Sequence, residues 1–134
     1  MKLTAGLRIL VIEDDLDTRN LIKAILAKEG FKNILSCRDG VEGMGQMRNS
    51  LSNHCPIDLV LADWNMPNLD GMSLLGVLKG SHEFSSVPFI MVTADNEQSH
   101  VLEAINAGVS SYVIKPVTPK KLRDKIVRVV KRVS

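Results

Sequence analysis

The chain has 134 residues, 45% of them hydrophobic and 24% charged, with a net charge of +2. That length and composition suit one compact domain spanning residues 1–134, with a real apolar core and no room for a sensor joined to a separate effector. They exclude general disorder, and two cysteines, Cys37 and Cys55, are too few for a disulfide framework or a zinc knuckle. No stretch nears the roughly 18 apolar residues of a membrane span, and residues 1–6 lack the apolar segment of a secretory signal. A soluble, cytoplasmic protein is expected. Seven of the 17 Lys and Arg lie between positions 120 and 132, against one acid, Asp124, so an acidic body ends in a basic helix.

Apolar runs and helical periodicities alternate along the chain. Residues 7–12 form a β-branched run that suits a strand covered on both faces. In residues 17–29, Leu21, Ile22, Ile25 and Leu26 share a helical face, with Asp17 or Thr18 placed to cap and Gly30 to terminate. The alternation continues with a strand at 33–37, a helix at 41–49, a polar loop at 50–56 and a buried apolar run at 57–63. A turn-rich segment at 65–71 leads into a helix at 72–79, a strand at 87–92 and a helix at 97–107 that Gly108 stops. Last come a short strand at 112–114 and a helix from Pro119, whose inward stripe is Leu122, Ile126, Val129, Val130 and Val133.

Five strands alternating with five helices predict an α/β fold, a doubly wound parallel sheet with helices on both faces. The strand order 2-1-3-4-5 of flavodoxin-like folds brings the first and third strands together, with ligands beyond their carboxyl ends. The first strand ends in Glu13, Asp14 and Asp15 and the third in Asp63. Acids opening a helix are commonly just solvated or favourable with its dipole. Asp63 argues for more, because it ends an otherwise apolar run where an isolated carboxylate is costly unless paired or metal-bound. Hard oxygen ligands at close quarters suit Mg²⁺, which keeps waters for phosphate oxygens. The fourth strand ends in Thr93 and the fifth in Lys115, adding a hydroxyl and a cation to the same crevice. Taken singly, Thr93 reads as a turn or cap residue and Lys115 as a loop amine; their joint placement argues otherwise.

The acidic pair in Val-Ile-Glu-Asp, the run Asp63-Trp64-Asn65-Met66-Pro67 with Asp70-Gly71, Val92-Thr93-Ala94 and Lys115-Pro116 resemble a response-regulator receiver of the chemotaxis, CheY-like type. The resemblance covers about residues 7–133. It implies a phosphoacceptor switch of a two-component phosphorelay, with Asp63 phosphorylated by a histidine kinase or histidine phosphotransfer protein in a Mg²⁺- or Mn²⁺-dependent reaction. Asp14 and Asp63 would bind the metal directly, Glu13 through water and Asn65 by its backbone carbonyl. Asp15 matches no such role and reads as a solvated helix-entry acid. Lys115 would neutralise charge, Thr93 would follow the phosphoryl group by hydrogen bonding, and Tyr112 would be the aromatic switch. The surface read by a downstream effector would lie on the fourth helix, fifth strand and fifth helix, at Ala94, Val101, Ser111, Tyr112 and Lys121. The Lys115-Pro116 bond is implied to be cis. Such a protein supports its own phosphotransfer and autodephosphorylation but is a signalling switch, not an enzyme. The ending of the chain beside its last helix predicts a stand-alone receiver, monomeric or weakly dimeric.

Val117 stands where chemotaxis receivers usually have Phe, and residues 50–56 form a longer loop, so binding to a motor switch is not implied. Asp95 and Asn65 occupy variable positions that bear on dephosphorylation. Three other functions compete. A phosphorylation-independent receiver-like binding module is opposed by the complete set Asp14, Asp63, Thr93 and Lys115. Nucleic-acid binding by the basic final helix lacks interleaved aromatics or a DNA-binding motif. A flavin mononucleotide carrier needs a phosphate-cradling loop where this chain has acids. His54, His82 and His100 are scattered and form no metal set. Met44, Met47, Met66, Met72 and Met91 read as core filler and Trp64 as a neighbour of the acidic site.

Overall fold

The computed structural model describes residues 6–133, leaving aside the side chains of 131–133. Strands β1 (Arg8–Ile12), β2 (Asn33–Cys37), β3 (Leu59–Ala62), β4 (Phe89–Thr93) and β5 (Ser111–Ile114) alternate with helices α1 (Leu16–Lys28), α2 (Gly40–Ser52), α3 (Gly71–Lys79), α4 (Gln98–Asn106) and α5 (Pro119–Val133). The strands form one parallel sheet in the order β2-β1-β3-β4-β5. This is the flavodoxin-like order expected from the sequence.

Successive strand side chains point to opposite faces, so the sheet serves two cores. Ile9, Val11, Leu59, Leu61, Ile90 and Val92 pack against α1 and α5, through Ile22, Ile25 and Leu26 and through Leu122, Ile126, Val129 and Val130. Leu10, Ile12, Val60, Ala62, Phe89 and Met91 face α2, α3 and α4, through Met44, Met47, Leu74, Leu75, Leu78 and Ala104. Burial on both faces is why β1, β3 and β4 read as unbroken apolar runs. Met66 and Met72 are half-buried against the second core. The expectation for Val133 concerns a side chain outside the described residues.

Several local expectations need correction. Asp15, not Asp17 or Thr18, caps α1: its Oδ2 accepts from the Thr18 amide at 2.9 Å and the Thr18 hydroxyl at 2.6 Å. The Thr18 bonds hold its carboxyl below the usual range, so it is a working cap and not merely a solvated acid. Leu21 is exposed, because it sits about 100° around the helix from Ile22, past the edge of the buried stripe. The segment 50–52, expected as loop, is the last turn of α2, with Ser50 buried, so the polar loop is shorter than its composition indicated. Gly30 and Gly108 do end their helices, at φ of 100° and 105°.

Asp39 caps α2 and also ties that helix to the loop before α3. Its Oδ1 accepts from the Glu42 amide at 2.9 Å and its Oδ2 from Asn68 Nδ2 at 2.7 Å. The Glu42 amide and the Asn68 side chain hold the Asp39 carboxyl below its ordinary value of 3.8. Asp39→Ala is expected to cost about 1 kcal/mol of stability or somewhat more. A depressed carboxylate stabilises the fold above its unfolded pKa and ceases to as pH falls through the folded one. The difference between the two urea midpoints should therefore be full above the ordinary value of 3.8 and narrow as the pH falls below it; a gap independent of pH would show that the carboxylate charge is not what ties the two segments.

Candidate functional site

The carboxyl ends of β1, β3 and β5 deliver Glu13, Asp63 and Lys115 to one place, and hydrogen bonds that continue the sheet beyond its strands fix their backbones. The Glu13 amide donates to Cys37 O at 3.0 Å, the Asp63 amide to Ile12 O at 3.1 Å and the Lys115 amide to Thr93 O at 2.8 Å. Arg19 Nη1 donates to Glu13 O at 2.8 Å, pinning the turn between β1 and α1. These positions are held as rigidly as the sheet itself, which suits groups that must meet a ligand in fixed geometry.

Lys115 Nζ lies 2.8 Å from Glu13 Oε1 and 2.9 Å from Asp63 Oδ2. The Glu13 side chain is 1% exposed and that of Asp63 9%, so both carboxylates need this cation. Burial raises the Glu13 pKa, opposed by the Lys115 bond and the Asp15 amide. Burial alone would lower the Lys115 pKa, but its bonds to Glu13 and Asp63 outweigh that and leave it raised. Asp14 is exposed at the rim, and one carboxylate oxygen each from Glu13, Asp14 and Asp63 lies within 4.8 Å of the others. Three hard oxygen donors in that space fit a small divalent cation. The Asn65 amide donates to Asp63 Oδ1 at 3.3 Å, orienting the carboxylate from the side of the loop after β3.

Thr93 is fully buried at the end of β4, and its Oγ1 accepts from the Asp95 amide at 3.3 Å. The turn reading of Thr93 therefore holds as well, and it leaves the hydroxyl proton to donate elsewhere. The Tyr112 hydroxyl donates to Asp95 O at 2.8 Å, and burial, with Asp95 and Asp63 nearby, pushes its pKa up to about 12. The Lys115-Pro116 bond is cis. On the expected partner surface Ala94 and Lys121 are exposed and Val101, Ser111 and Tyr112 half-buried. Lys121 Nζ donates to Ile114 O and Pro116 O, both at 3.3 Å. Exposed Leu102 and Ile105 add apolar area on α4 that the sequence reading did not single out.

One other feature escaped sequence reasoning. His100, read as one of three scattered histidines, pairs its Nδ1 with Asp95 Oδ2 at 2.6 Å and lays its ring against Trp64, 5.3 Å between centroids. The Trp64 side chain is half-buried against the second core, with His100 as its ring partner. Cys37 is buried, and burial, with Glu42 and Asp39 near, pushes its thiol up to about 12, so it is chemically inert, while Cys55 is exposed in a loop. Among the described residues no helix is long and apolar enough to cross a membrane.

The switch point of this doubly wound sheet thus gathers three carboxylates, a lysine and a buried threonine. The chain belongs to the response regulator receiver domain family, whose sequence model matches residues 9–127. It is 31% identical over 120 residues to the chemotaxis protein CheY1 of Helicobacter pylori, covering 90% of this chain and 94% of that protein. The structure of a CheY-like receiver domain protein from Methanospirillum hungatei superposes with a TM-score of 0.81 at 28% identity, covering 94% of each chain. CheY in the CheX-CheY-BeF3-Mg²⁺ complex from Borrelia burgdorferi superposes with a TM-score of 0.83 at 25% identity, over 92% of this chain and 88% of that one.

Proposed function

We propose that this receiver is a phosphoacceptor switch of a two-component phosphorelay, working in the cytoplasm and accepting a phosphoryl group on Asp63 from a histidine kinase or histidine phosphotransfer protein. The observation that carries the reading is the bridge from Lys115 Nζ to both Glu13 and Asp63, with Asp14 completing the cluster. The Borrelia complex, whose name includes BeF3 and Mg²⁺, supports the same chemistry here.

In this reading an Asp63 carboxylate oxygen forms the new O–P bond as the P–N bond to the donor imidazole breaks, and the bonding pair returns to that nitrogen. The Lys115 ammonium, already 2.9 Å from Asp63 Oδ2, stands where it can meet charge on the phosphoryl oxygens. Thr93 donates its hydroxyl proton to one of those oxygens. Asp14, Asp63, the Asn65 carbonyl and, through water, Glu13 would hold Mg²⁺ or Mn²⁺, which would supply charge neutralisation. Because Asp95 contacts both Thr93 and Tyr112, a change at Thr93 passes to the Tyr112 side of the sheet. The surface around Ala94, Val101, Ser111, Tyr112 and Lys121 then reports the state of Asp63 to a downstream protein. The chain promotes its own phosphotransfer and dephosphorylation and acts on no separate substrate.

Incubation of the full chain with radiolabelled acetyl phosphate tests this. Label should enter with Mg²⁺ present, vanish with EDTA and be absent from Asp63→Asn. Equal labelling of Asp63→Asn rejects the assignment, and a folded native chain that takes no label would be a receiver-like binding module instead.

A further inference from the structure

Asp95 joins four parts of the molecule. Its amide donates to Thr93 Oγ1, its carbonyl accepts from the Tyr112 hydroxyl, its Oδ1 accepts from the Glu97 amide at 3.0 Å and its Oδ2 meets His100 Nδ1 at 2.6 Å. Both carboxylate oxygens are therefore engaged by the start of α4. The Glu97 side chain makes no capping bond, so Asp95 and His100 do the work of fastening this helix end. The His100 side chain is 42% exposed and that of Asp95 16%, which leaves the imidazole open to protons and the carboxylate largely enclosed.

We propose that His100 is a positioning residue which, by clasping Asp95, holds the loop between β4 and α4 in the arrangement that engages Tyr112, and that protonation of the imidazole tightens this clasp. The inference rests on the receiver reading above and adds a second input, ambient pH, to the element that couples Thr93 to Tyr112. Both ring nitrogens of the imidazolium are donors, and a charged donor to a carboxylate makes a stronger bond than a neutral one. The groups around the imidazole are Asp95 and Glu97 from the loop, Glu103 from α4 itself and the uncharged Trp64 ring from the loop after β3. From β5 the Tyr112 phenol reaches the same loop through the Asp95 carbonyl and stays protonated at neutral pH. No cation stands among these groups to oppose protonation. The Asp95 hydrogen bond comes first among the causes that raise the His100 pKa above 6.5. A raised histidine contributes fully below its unfolded pKa and stops contributing as pH rises through the folded one. The clasp is thus complete in mildly acidic solution and loosens toward alkaline pH.

The chain has one Tyr and one Trp, so Tyr112 and Trp64 give unambiguous ring signals by NMR. In a titration of the full chain from pH 5 to 9, His100 should titrate above 6.5, and the Tyr112 and Trp64 ring signals should shift with the same midpoint. Asp95→Asn should lower the His100 midpoint, and His100→Gln should abolish the Tyr112 shift. A Tyr112 signal that stays flat while His100 titrates, or that still shifts in His100→Gln, overturns the proposal. The native titration decides it even if a variant folds poorly. None of these signals needs a phosphoryl group, so a chain that fails to label on Asp63 but shows the coupled titration sinks only the phosphoacceptor reading.

Discussion

Lys115→Met is expected to lower the stability of the metal-free chain by about 3 kcal/mol, measured by urea denaturation in EDTA at pH 7. Methionine keeps most of the aliphatic stem, so packing changes little and the lost charge dominates. Removing one partner of a buried pair costs about 3–5 kcal/mol because the other charge is left unpaired. The lower end applies because the Lys115 side chain is 19% exposed. Here two carboxylates lose their cation at once and repel each other, since Glu13 and Asp63 meet through Lys115. The deficit should shrink in acid, because burial already raises Glu13 above 4.5 and its protonation removes one of the stranded charges. It should also shrink with added Mg²⁺, because carboxylates freed of the ammonium would bind the cation more tightly than those of the native chain, and the folded variant would gain more from it. A loss below about 0.5 kcal/mol, the size of an exposed pair, would mean that this lysine does not balance the pocket.

Gly71→Ala is expected to cost about 2 kcal/mol and to end labelling of Asp63. A methyl group at this position would run into the Asp63 carbonyl oxygen and approach Trp64 Cα. Both obstacles are backbone, so no side chain can swing aside. The Gly71 amide also donates to Trp64 O at 2.8 Å, which holds the start of α3 against the segment carrying the acceptor. The helix must move or Asp63 must, and either outcome displaces a group whose geometry the chemistry needs within fractions of an ångström. Gly76→Ala in the same helix is the control, for nothing lies within 4 Å of the added methyl. Alanine there should stabilise by about 0.5–1 kcal/mol and leave labelling intact. Normal labelling of Gly71→Ala would show that the loop absorbs the methyl without moving the acceptor.

The fold was legible because the central strands are buried on both faces and flanked by periodic helices, which leaves little ambiguity about order or type. Boundaries were less so. Glu13, Asp14, Asp15 and Asp17 crowd one helix start, and composition cannot say which acid turns back to cap; only the Thr18 bonds decide. Ser50 and Ser52 read as loop residues, yet packing carries α2 through them. At the site, the end of each strand pointed to Glu13, Asp63, Thr93 and Lys115, since parallel topology forces those ends together. The Asp39–Asn68 tie and the Asp95–His100 pair lay beyond reach. The first joins two loops far apart in sequence, and the second spans five positions from a loop into a helix, a spacing that matches no regular periodicity.

The pocket draws Glu13 from the first strand and Lys115 from the last, while the acceptor comes from the middle of the chain. The site therefore exists only once everything from the first strand through the fifth has been made and paired. Under the phosphoacceptor reading, copies whose fifth strand is unpaired would lack the lysine and take no phosphoryl group, so that the modification would itself certify a folded sheet.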